Sequence, residues 1–297
     1  LSVDENETLA IRLAVGDAAS DAQFVDLFYA TESGVFFASN SWIEESPYQH
    51  LFSKESVRSV SNDFGFESPH FVFSEDMNND GAQDVIVLTS GNGIWYFENS
   101  GFGKFEQTAV KLSGVNALPK HAIAEDFDFD GDIDLLVTIP AEDEILLYNN
   151  QFKERSDGLV SFDQTSIKNE DGHLDYPIYL ASADFDNDYD LDFAVVCRES
   201  NNSISWFSND GEGQFSFVAV IDQNLSEPRS LEVLDLTEAN LLKDRKFGCV
   251  DLAVGMKGGV RLYKNDGTGS FHKEQDVLID DGSSVLIVNS IKALALD

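Results

Sequence analysis

Residues 126–134 read Asp-Phe-Asp-Phe-Asp-Gly-Asp-Ile-Asp, a nine-residue segment with an aspartate at every odd position. In an extended turn the side chains at positions 1, 3, 5 and 9 point inward, and the backbone carbonyl of position 7 can join them. Four carboxylates at about 4 Å repel by roughly 4 kcal/mol per pair at an effective dielectric near 20, so the loop should not close without a cation. Calcium suits such a flexible, all-protein cage, since it takes about six to eight oxygen ligands.

Two further segments repeat this spacing, at residues 76–84 and 184–192. The sequence therefore predicts three structural calcium ions, and the alternative is a metal-free Asp/Asn turn. The third segment departs from the pattern because Tyr189 stands where glycine normally supplies a positive φ. The predicted ligand positions, with the backbone carbonyl used at position 7, are Asp76, Asn78, Asp80, Ala82, Asp84, Asp126, Asp128, Asp130, Asp132, Asp134, Asp184, Asp186, Asp188, Asp190 and Asp192.

These segments belong to a longer repeat. Each is followed by an apolar run, a polar turn, a second run ending in Asn and usually a Gly-rich turn with Phe, as in Gly211-Glu-Gly-Gln-Phe215. Weaker copies begin at Asp17 and Asp235, and both lack the full set of acidic positions, so we expect them to be metal-free. Four short β-type runs per unit predict one blade of a propeller, whereas an immunoglobulin-like sandwich would not repeat its motif at this period.

The predicted fold is therefore an all-β propeller of four-stranded antiparallel blades, with residues 1–297 forming one domain. We expect five full repeats and the first strand of a sixth, within a larger propeller. The approximate repeat boundaries are 9–67, 68–117, 118–175, 176–226, 227–289 and 290–297.

The loop pattern D-x-D/N-x-D-G-x-x-D, with the later N-x-G-x-G-x-F, resembles FG-GAP/VCBS repeats, the units of integrin-α-like propellers. The resemblance implies that the metals are structural and tie the first strand of each blade to the second. It also implies that ligands bind the face opposite the metal loops. Calcium sites of extracellular type have affinities of about 10⁻⁴–10⁻³ M and would be empty in the cytosol, so we expect an extracellular or cell-surface location.

The composition of the chain limits the classes of binding partner. The chain has 54 acidic and 19 basic residues, for a formal net charge of −35, and such a chain repels nucleic acid and anionic lipid. No apolar run approaches the roughly 18 residues of a membrane span, so we expect no membrane insertion by this segment. The two cysteines, Cys197 and Cys249, are predicted to be free and buried, because their strand positions are too far apart for a disulfide.

A candidate ligand site follows four regularly placed prolines. Pro69, Pro119, Pro177 and Pro228 each lie seven residues before a loop aspartate, where the innermost strand of a blade begins. The basic and aromatic residues just after them are His70, Lys120, His121, Tyr179 and Arg229. They can form a ring for an anionic or sugar ligand, or they can be packing residues of the repeat.

Two functions stay open at this point. The first is an extracellular recognition or adhesion module that binds a protein or a glycan. The second is a carbohydrate-active enzyme, either a polysaccharide lyase or a glycosidase, which would need paired carboxylates or a basic catalytic group in the propeller channel. The regularly placed acids are already assigned to the metal loops, so the first function is preferred and no catalytic residue is predicted.

Overall fold

The computed structural model is all-β. Within the described residues, the single helical segment is a 3-10 turn at Pro140–Glu142, and no helix is long and apolar enough to cross a membrane. The structure describes residues 10–13, 27–31, 34–38, 57–59, 69–90, 93–100, 110–112, 118–153, 156, 158–168, 172–199, 201–236, 250–274 and 276–278.

The first of two compact units, residues 1–120 and 150–164, contains two four-stranded sheets. Blade 1 consists of β1 (Ala10–Leu13), β2 (Leu27–Thr31), β3 (Gly34–Ala38) and β4 (Val57–Ser59). Blade 2 consists of β5 (Pro69–Glu75), β6 (Asp84–Thr89), β7 (Gly93–Phe97) and β8 (Val110–Lys111). In both blades each strand pairs antiparallel with the next strand along the chain.

The second unit, residues 121–149 and 165–297, contains most of blade 3 and all of blades 4 and 5. Blade 3 consists of β9 (Ala122–Glu125), β10 (Asp134–Ile139), β11 (Glu144–Asn150) and β12 (Phe162–Lys168). Blade 4 consists of β13 (Pro177–Ala183), β14 (Asp192–Cys197), β15 (Ser203–Asn209) and β16 (Phe215–Asp222).

Blade 5 consists of β17 (Ser230–Leu234), β18 (Asp251–Met256), β19 (Gly259–Asn265), β20 (Phe271–Lys273) and β21 (Val277–Leu278). Its outer strand is interrupted, because β20 and β21 pair with different parts of β19. The predicted fold class, a propeller of four-stranded antiparallel blades, is confirmed. The Asp17 loop of the first repeat and the partial sixth repeat at 290–297 lie outside the described residues.

In the second unit the core lies between successive blades. The second strands β6, β10, β14 and β18 are buried at every position, which explains why they are continuous apolar runs and not alternating ones. Along β14 the side chains nevertheless alternate in direction. Phe193, Val195 and Cys197 pack with blade 3, whereas Ala194 and Val196 pack with blade 5. Cys197 is free and buried, as predicted, and Cys249 lies outside the described residues.

Candidate metal sites

The three predicted loops connect the first and second strands of blades 2, 3 and 4 along the same backbone course. Position 6 has a positive φ in every loop, of 86° at Gly81, 88° at Gly131 and 82° at Tyr189. Position 4 is also left-handed, with φ between 55° and 62° at Asn79, Phe129 and Asn187. The fold thus holds Tyr189 in the glycine-like conformation, although this costs an L side chain about 1–2 kcal/mol.

The first aspartate closes each loop through backbone hydrogen bonds. In blade 2, the N–H of Asp80 donates to Asp76 Oδ1 at 3.0 Å, and the N–H of Gly81 donates to Oδ2 at 2.8 Å. In blade 4, Asp184 accepts equivalent bonds from Asp188 and Tyr189 at 3.2 and 3.1 Å. Each carboxylate oxygen keeps a second lone pair, so these bonds leave the carboxylate able to ligate a cation.

Two of the loops bring three carboxylates together. The groups are Asp126, Asp128 and Asp130 in blade 3 and Asp184, Asp186 and Asp188 in blade 4, and within each the ligand atoms lie within 4.8 Å of one another. In the blade 2 loop, position 3 is Asn78, whose Nδ2 donates to Asp80 Oδ2 at 3.3 Å and to Glu98 Oε1 at 3.4 Å. Blades 3 and 4 therefore have the stronger acidic clusters.

The blade 4 cluster fits a cation in a second respect. Asp186 Oδ1 is shielded from solvent and accepts no hydrogen bond, which is a costly state for a carboxylate oxygen. Burial, followed by the negative charges of Asp188 and Asp184, raises the pKa of Asp186 above its usual range. A bound cation would supply the missing partner and compensate both unfavourable effects.

The ninth aspartate has different surroundings. Asp84 is fully buried, and it accepts the N–H of Asn99 at 2.7 Å, the N–H of Met77 at 3.1 Å and the Tyr96 hydroxyl at 2.9 Å. Asp192 likewise accepts the N–H groups of Asn209 and Phe185. Burial raises the pKa of both Asp84 and Asp192 to about 7, against the lowering effect of these bonds.

We call this arrangement the Asp–Asn hub: a buried ninth aspartate that binds the backbone N–H of loop position 2 and that of the Asn ending the third strand. Sequence reasoning placed the ninth carboxylate in the metal cage. The structure shows that its oxygens already join three parts of one blade, and its role as a direct metal ligand stays a prediction.

In blades 3, 4 and 5 the Asn that ends the third strand also contacts the preceding blade. The side-chain Nδ2 groups of Asn150, Asn209 and Asn265 donate to the backbone carbonyls of Met77, Phe127 and Phe185, at 2.8, 2.7 and 2.7 Å. Each acceptor is position 2 of the previous metal loop. This bond, which we call the Asn clasp, gives a physical role to the Asn that ends the third β-run of the repeat.

The Gly-rich turn after the Asn continues the same interface. The ring of Phe215 packs edge-on against Phe127 with centroids 5.5 Å apart, and Phe271 packs the same way against Phe185 at 5.4 Å. A Cβ at Gly269 would lie 2.1 Å from the Trp206 ring, so only glycine fits there. The N-x-G-x-G-x-F motif is therefore a contact between blades, organised around the previous loop.

Blade 5 retains the hub without an acidic cluster among its described residues. Asp251 is fully buried, and it accepts the N–H of Asn265 and the N–H of Leu236, both at 2.8 Å. Leu236 follows Asp235, so it occupies position 2 even though the predicted insertion separates it from Asp251. The inference that this repeat lacks a metal loop stays a prediction, because residues 237–249 lie outside the described part.

The predicted ligand residues have varied surroundings. The rings of His121 and Tyr179 stack with centroids 3.7 Å apart, and the N–H of Leu180 donates to His121 Nδ1 at 3.3 Å. His121 is only 5% exposed, so these contacts make it a packing residue between the first strands of blades 3 and 4.

The other three lie nearer the surface. Lys120 is exposed, and His70 is half-buried, with Nδ1 3.1 Å from Ser90 Oγ. Arg229 Nη2 donates to Glu227 Oε2 at 3.4 Å. A ligand site at His70, Lys120, His121, Tyr179 and Arg229 stays a prediction.

Sequence reasoning missed a groove between blades 3 and 4, which we call the blade 3–4 groove. It has a volume of about 430 Å³ and lies beside the outer strands, away from the five predicted ligand residues. No sequence signal marked it, because its walls come from two repeats. Its lining consists of Thr165, Ser166, Ile167, Lys168, His173, Leu174, Phe207, Gly213, Gln214, Phe215, Ser216 and Phe217.

Comparisons with known proteins agree with the motif and the fold. Residues 76–137 match the FG-GAP-like repeat family, whereas no curated protein matches the chain. A lectin from Agrocybe aegerita, described for its specific recognition of non-reducing terminal N-acetylglucosamine, is similar in structure with a TM-score of 0.60 at 16% identity, covering 93% of this chain and 68% of the lectin.

A candidate 6-phosphogluconolactonase from Bacteroides fragilis is similar with a TM-score of 0.53 at 11% identity, covering 88% of this chain and 69% of the other. At these identities the two likenesses support the fold alone. The resemblance inferred from the motifs is confirmed over residues 76–137, and the chain carries an FG-GAP-like repeat in a β-propeller fold.

Proposed function

We propose that this protein is a calcium-stabilised, extracellular β-propeller that recognises a protein or glycan ligand. The observation that carries the calcium assignment is the cluster of Asp184, Asp186 and Asp188, whose ligand atoms lie within 4.8 Å. Its buried Asp186 oxygen accepts no hydrogen bond. Oxygen ligands in a flexible loop suit calcium better than magnesium, which requires near-ideal octahedral geometry.

The ion would be held by the carboxylates at positions 1, 3 and 5 and would remove their mutual repulsion. It would also stabilise the interface with the next blade, because the position 2 carbonyl of the same loop accepts the Asn clasp. The role is structural, and it prepares a rigid scaffold whose variable loops and grooves are free to bind a ligand.

Recognition is the preferred activity for two reasons. The lectin from Agrocybe aegerita supports a glycan as one class of ligand, since it has the same fold and is described as binding a sugar. The formal net charge of −35 disfavours polyanionic partners such as nucleic acid. The extracellular setting follows from the calcium proposal, because weak calcium sites fill only where free calcium is high.

Thermal unfolding in calcium, in magnesium and in chelator tests the proposal. Calcium should raise the melting temperature of the whole chain well above its value in chelator, and magnesium should do so much less. A glycan array and cell-surface binding, both run in calcium, then test recognition. A melting temperature indifferent to calcium up to about 10 mM, ten times the weakest usual extracellular affinity, would contradict the calcium assignment.

A further inference from the structure

The blade 3–4 groove has a size and composition suited to a small organic ligand. Its volume of about 430 Å³ falls within the range of about 300–1,000 Å³ that is usual for ligand pockets. Six lining residues are polar or charged and five are apolar, with one glycine, so the groove differs from an apolar packing defect.

The floor of the groove is apolar and rigid. Leu174 and Phe207 are buried. Phe207 stacks on Phe193 of its own sheet, with ring centroids 4.8 Å apart. Phe215 is held by its edge-on contact with Phe127 of blade 3. These contacts fix the floor before any ligand arrives, which reduces the entropy lost on binding.

One wall presents an exposed aromatic ring. Phe217 remains 36% exposed, and the His173 ring stacks on it at 3.6 Å with an interplanar angle of 3°. The position of His173 is fixed in turn, because its backbone carbonyl accepts the Ser205 hydroxyl at 3.1 Å and the Cys197 thiol at 3.6 Å. The protein thus holds a flat aromatic surface at the solvent boundary.

The rim carries hydrogen-bonding groups that are not used within the described structure. The side chains of Thr165, Lys168, Gln214 and Ser216 are exposed and form no hydrogen bond with another described residue. They come from both sides of the groove, since two belong to β12 and two lie at the start of blade 4's outer strand. Together they offer hydroxyl, amide and ammonium groups above an apolar floor.

A sugar residue matches this combination. A pyranose ring has C–H groups on one face, which suit an aromatic surface, and hydroxyls around its edge, which suit a polar rim. The lining has a single formally charged side chain, Lys168, in a chain whose formal net charge is −35, so the groove lacks the positive charge that a polyanion needs. We infer that the blade 3–4 groove binds a hexose or N-acetylhexosamine residue of a glycan, with the stacked His173–Phe217 pair as its aromatic surface. This inference rests on the proposed recognition function and assigns it a location.

Saturation-transfer NMR and calorimetry of the full chain in calcium test the assignment, with N-acetylglucosamine, N-acetylgalactosamine, glucose and galactose as probes at up to about 20 mM, where weak millimolar binding is detectable. At least one probe should bind and should shift the His173 ring resonances. Phe217→Ala should weaken that binding about tenfold, and Gln214→Ala about threefold.

Gln214→Ala should fold normally, because Gln214 is exposed and contributes no core packing. It therefore tests the groove even if Phe217→Ala misfolds. Val220→Ala is the matched control, since Val220 is exposed on the same strand as Phe217 but outside the groove, and it should bind as the wild type does. Binding of a sugar that Phe217→Ala and Gln214→Ala leave unchanged would overturn the groove assignment. So would the absence of binding by every probe.

Either failure is distinguishable from failure of the proposed function. A chain that binds a protein or a glycan elsewhere on its surface in calcium would keep its recognition role and lose only this site. A chain whose stability is indifferent to calcium would lose the proposed function first.

Discussion

Blades 4 and 5 share the Asp–Asn hub but differ in the acidic residues around it. Both have a buried aspartate, Asp192 or Asp251, that accepts the N–H of the Asn ending the third strand and the N–H of loop position 2. Only in blade 4 do the described residues add a cluster of three nearby carboxylates. The hub is therefore part of the blade fold, whereas the cluster is an addition that suits a cation.

The aspartates of one motif therefore have two separate roles. The carboxylate of the hub accepts hydrogen bonds from backbone N–H groups that would otherwise have no acceptor. These hydrogen bonds are needed with or without a metal ion. The carboxylates at positions 1, 3 and 5 repel one another, and a bound cation would remove that repulsion.

The largest effect should be a reversal of pH dependence on removing calcium. Burial raises the pKa of Asp84 and Asp192 to about 7 in the metal-free protein. Their contribution to stability is then fully present below the unfolded pKa near 4 and is lost as pH rises through about 7. In chelator the free energy of unfolding should fall between pH 4 and pH 7, measured by urea titration.

With calcium bound, the loop carboxylates should have depressed pKa values, so their contribution is present above pH 4 and fades as pH falls through the lower folded value. Stability in calcium should therefore rise or hold across the interval where it falls in chelator. If the free energy of unfolding changed with pH in the same way in calcium and in chelator, the hub and the cluster would not have separate roles.

Removing the hub of blade 5 should destabilise the protein equally in calcium and in chelator. Asp251→Ala leaves the buried N–H of Asn265 and the part-buried N–H of Leu236 without an acceptor, which should cost about 3 kcal/mol. Glu212→Ala, which removes a negative charge from an exposed turn, is the control and should change stability by less than about 0.5 kcal/mol. A loss seen only in calcium would mean that this hub depends on metal.

Removing one carboxylate of the blade 4 cluster should act only when calcium is present. A site at a calcium concentration about 100-fold above its Kd contributes about 2.7 kcal/mol, and Asp186→Asn should abolish most of it. In chelator the same variant should be neutral or slightly more stable, because repulsion is reduced. Asp163→Asn on the exposed outer strand of blade 3 is the control, and equal loss in both buffers would argue against a metal at Asp186.

Cutting one Asn clasp should weaken the interface between two blades. Asn209→Ala removes the side-chain donor to Phe127 O and should cost about 1–2 kcal/mol. It should also lower the calcium affinity of the Asp126 loop, whose position 2 it holds. Asn201→Ala, in an exposed turn of blade 4, is the control. If calorimetric titration showed the same calcium affinity for Asn209→Ala and the wild type, the clasp would have no effect on the loop.

The smallest effect concerns backbone strain in the two kinds of loop. Tyr189→Gly should stabilise the protein by about 0.5–1 kcal/mol, because φ is 82° there and glycine adopts it without a Cβ penalty. Gly81→Tyr is the reciprocal change at φ 86°, where a Cβ meets no atom within 4 Å, and it should destabilise by a similar amount. Thermal melts with no gain at position 189 would indicate that Tyr189 has favourable contacts of its own.

The local features of this molecule can be predicted from the amino-acid sequence. The 1-3-5 spacing that brings Asp184, Asp186 and Asp188 together is a property of nine consecutive residues, and the apolar run at 193–197 predicts a buried strand. Such features depend on contacts between near neighbours in the chain, so the pattern is sufficient to predict the loop, the strand and the blade repeat.

The contacts that join one blade to the next could not be predicted from the sequence and are visible only in the tertiary structure. Asn209 contacts Phe127 across 82 positions of sequence, and Asn265 contacts Phe185 across 80. No local spacing specifies which carbonyl lies beside a given amide at that separation. The burial of His121 and the groove lined by Phe217 arise from the same cause: two repeats must be packed together before their shared surfaces exist.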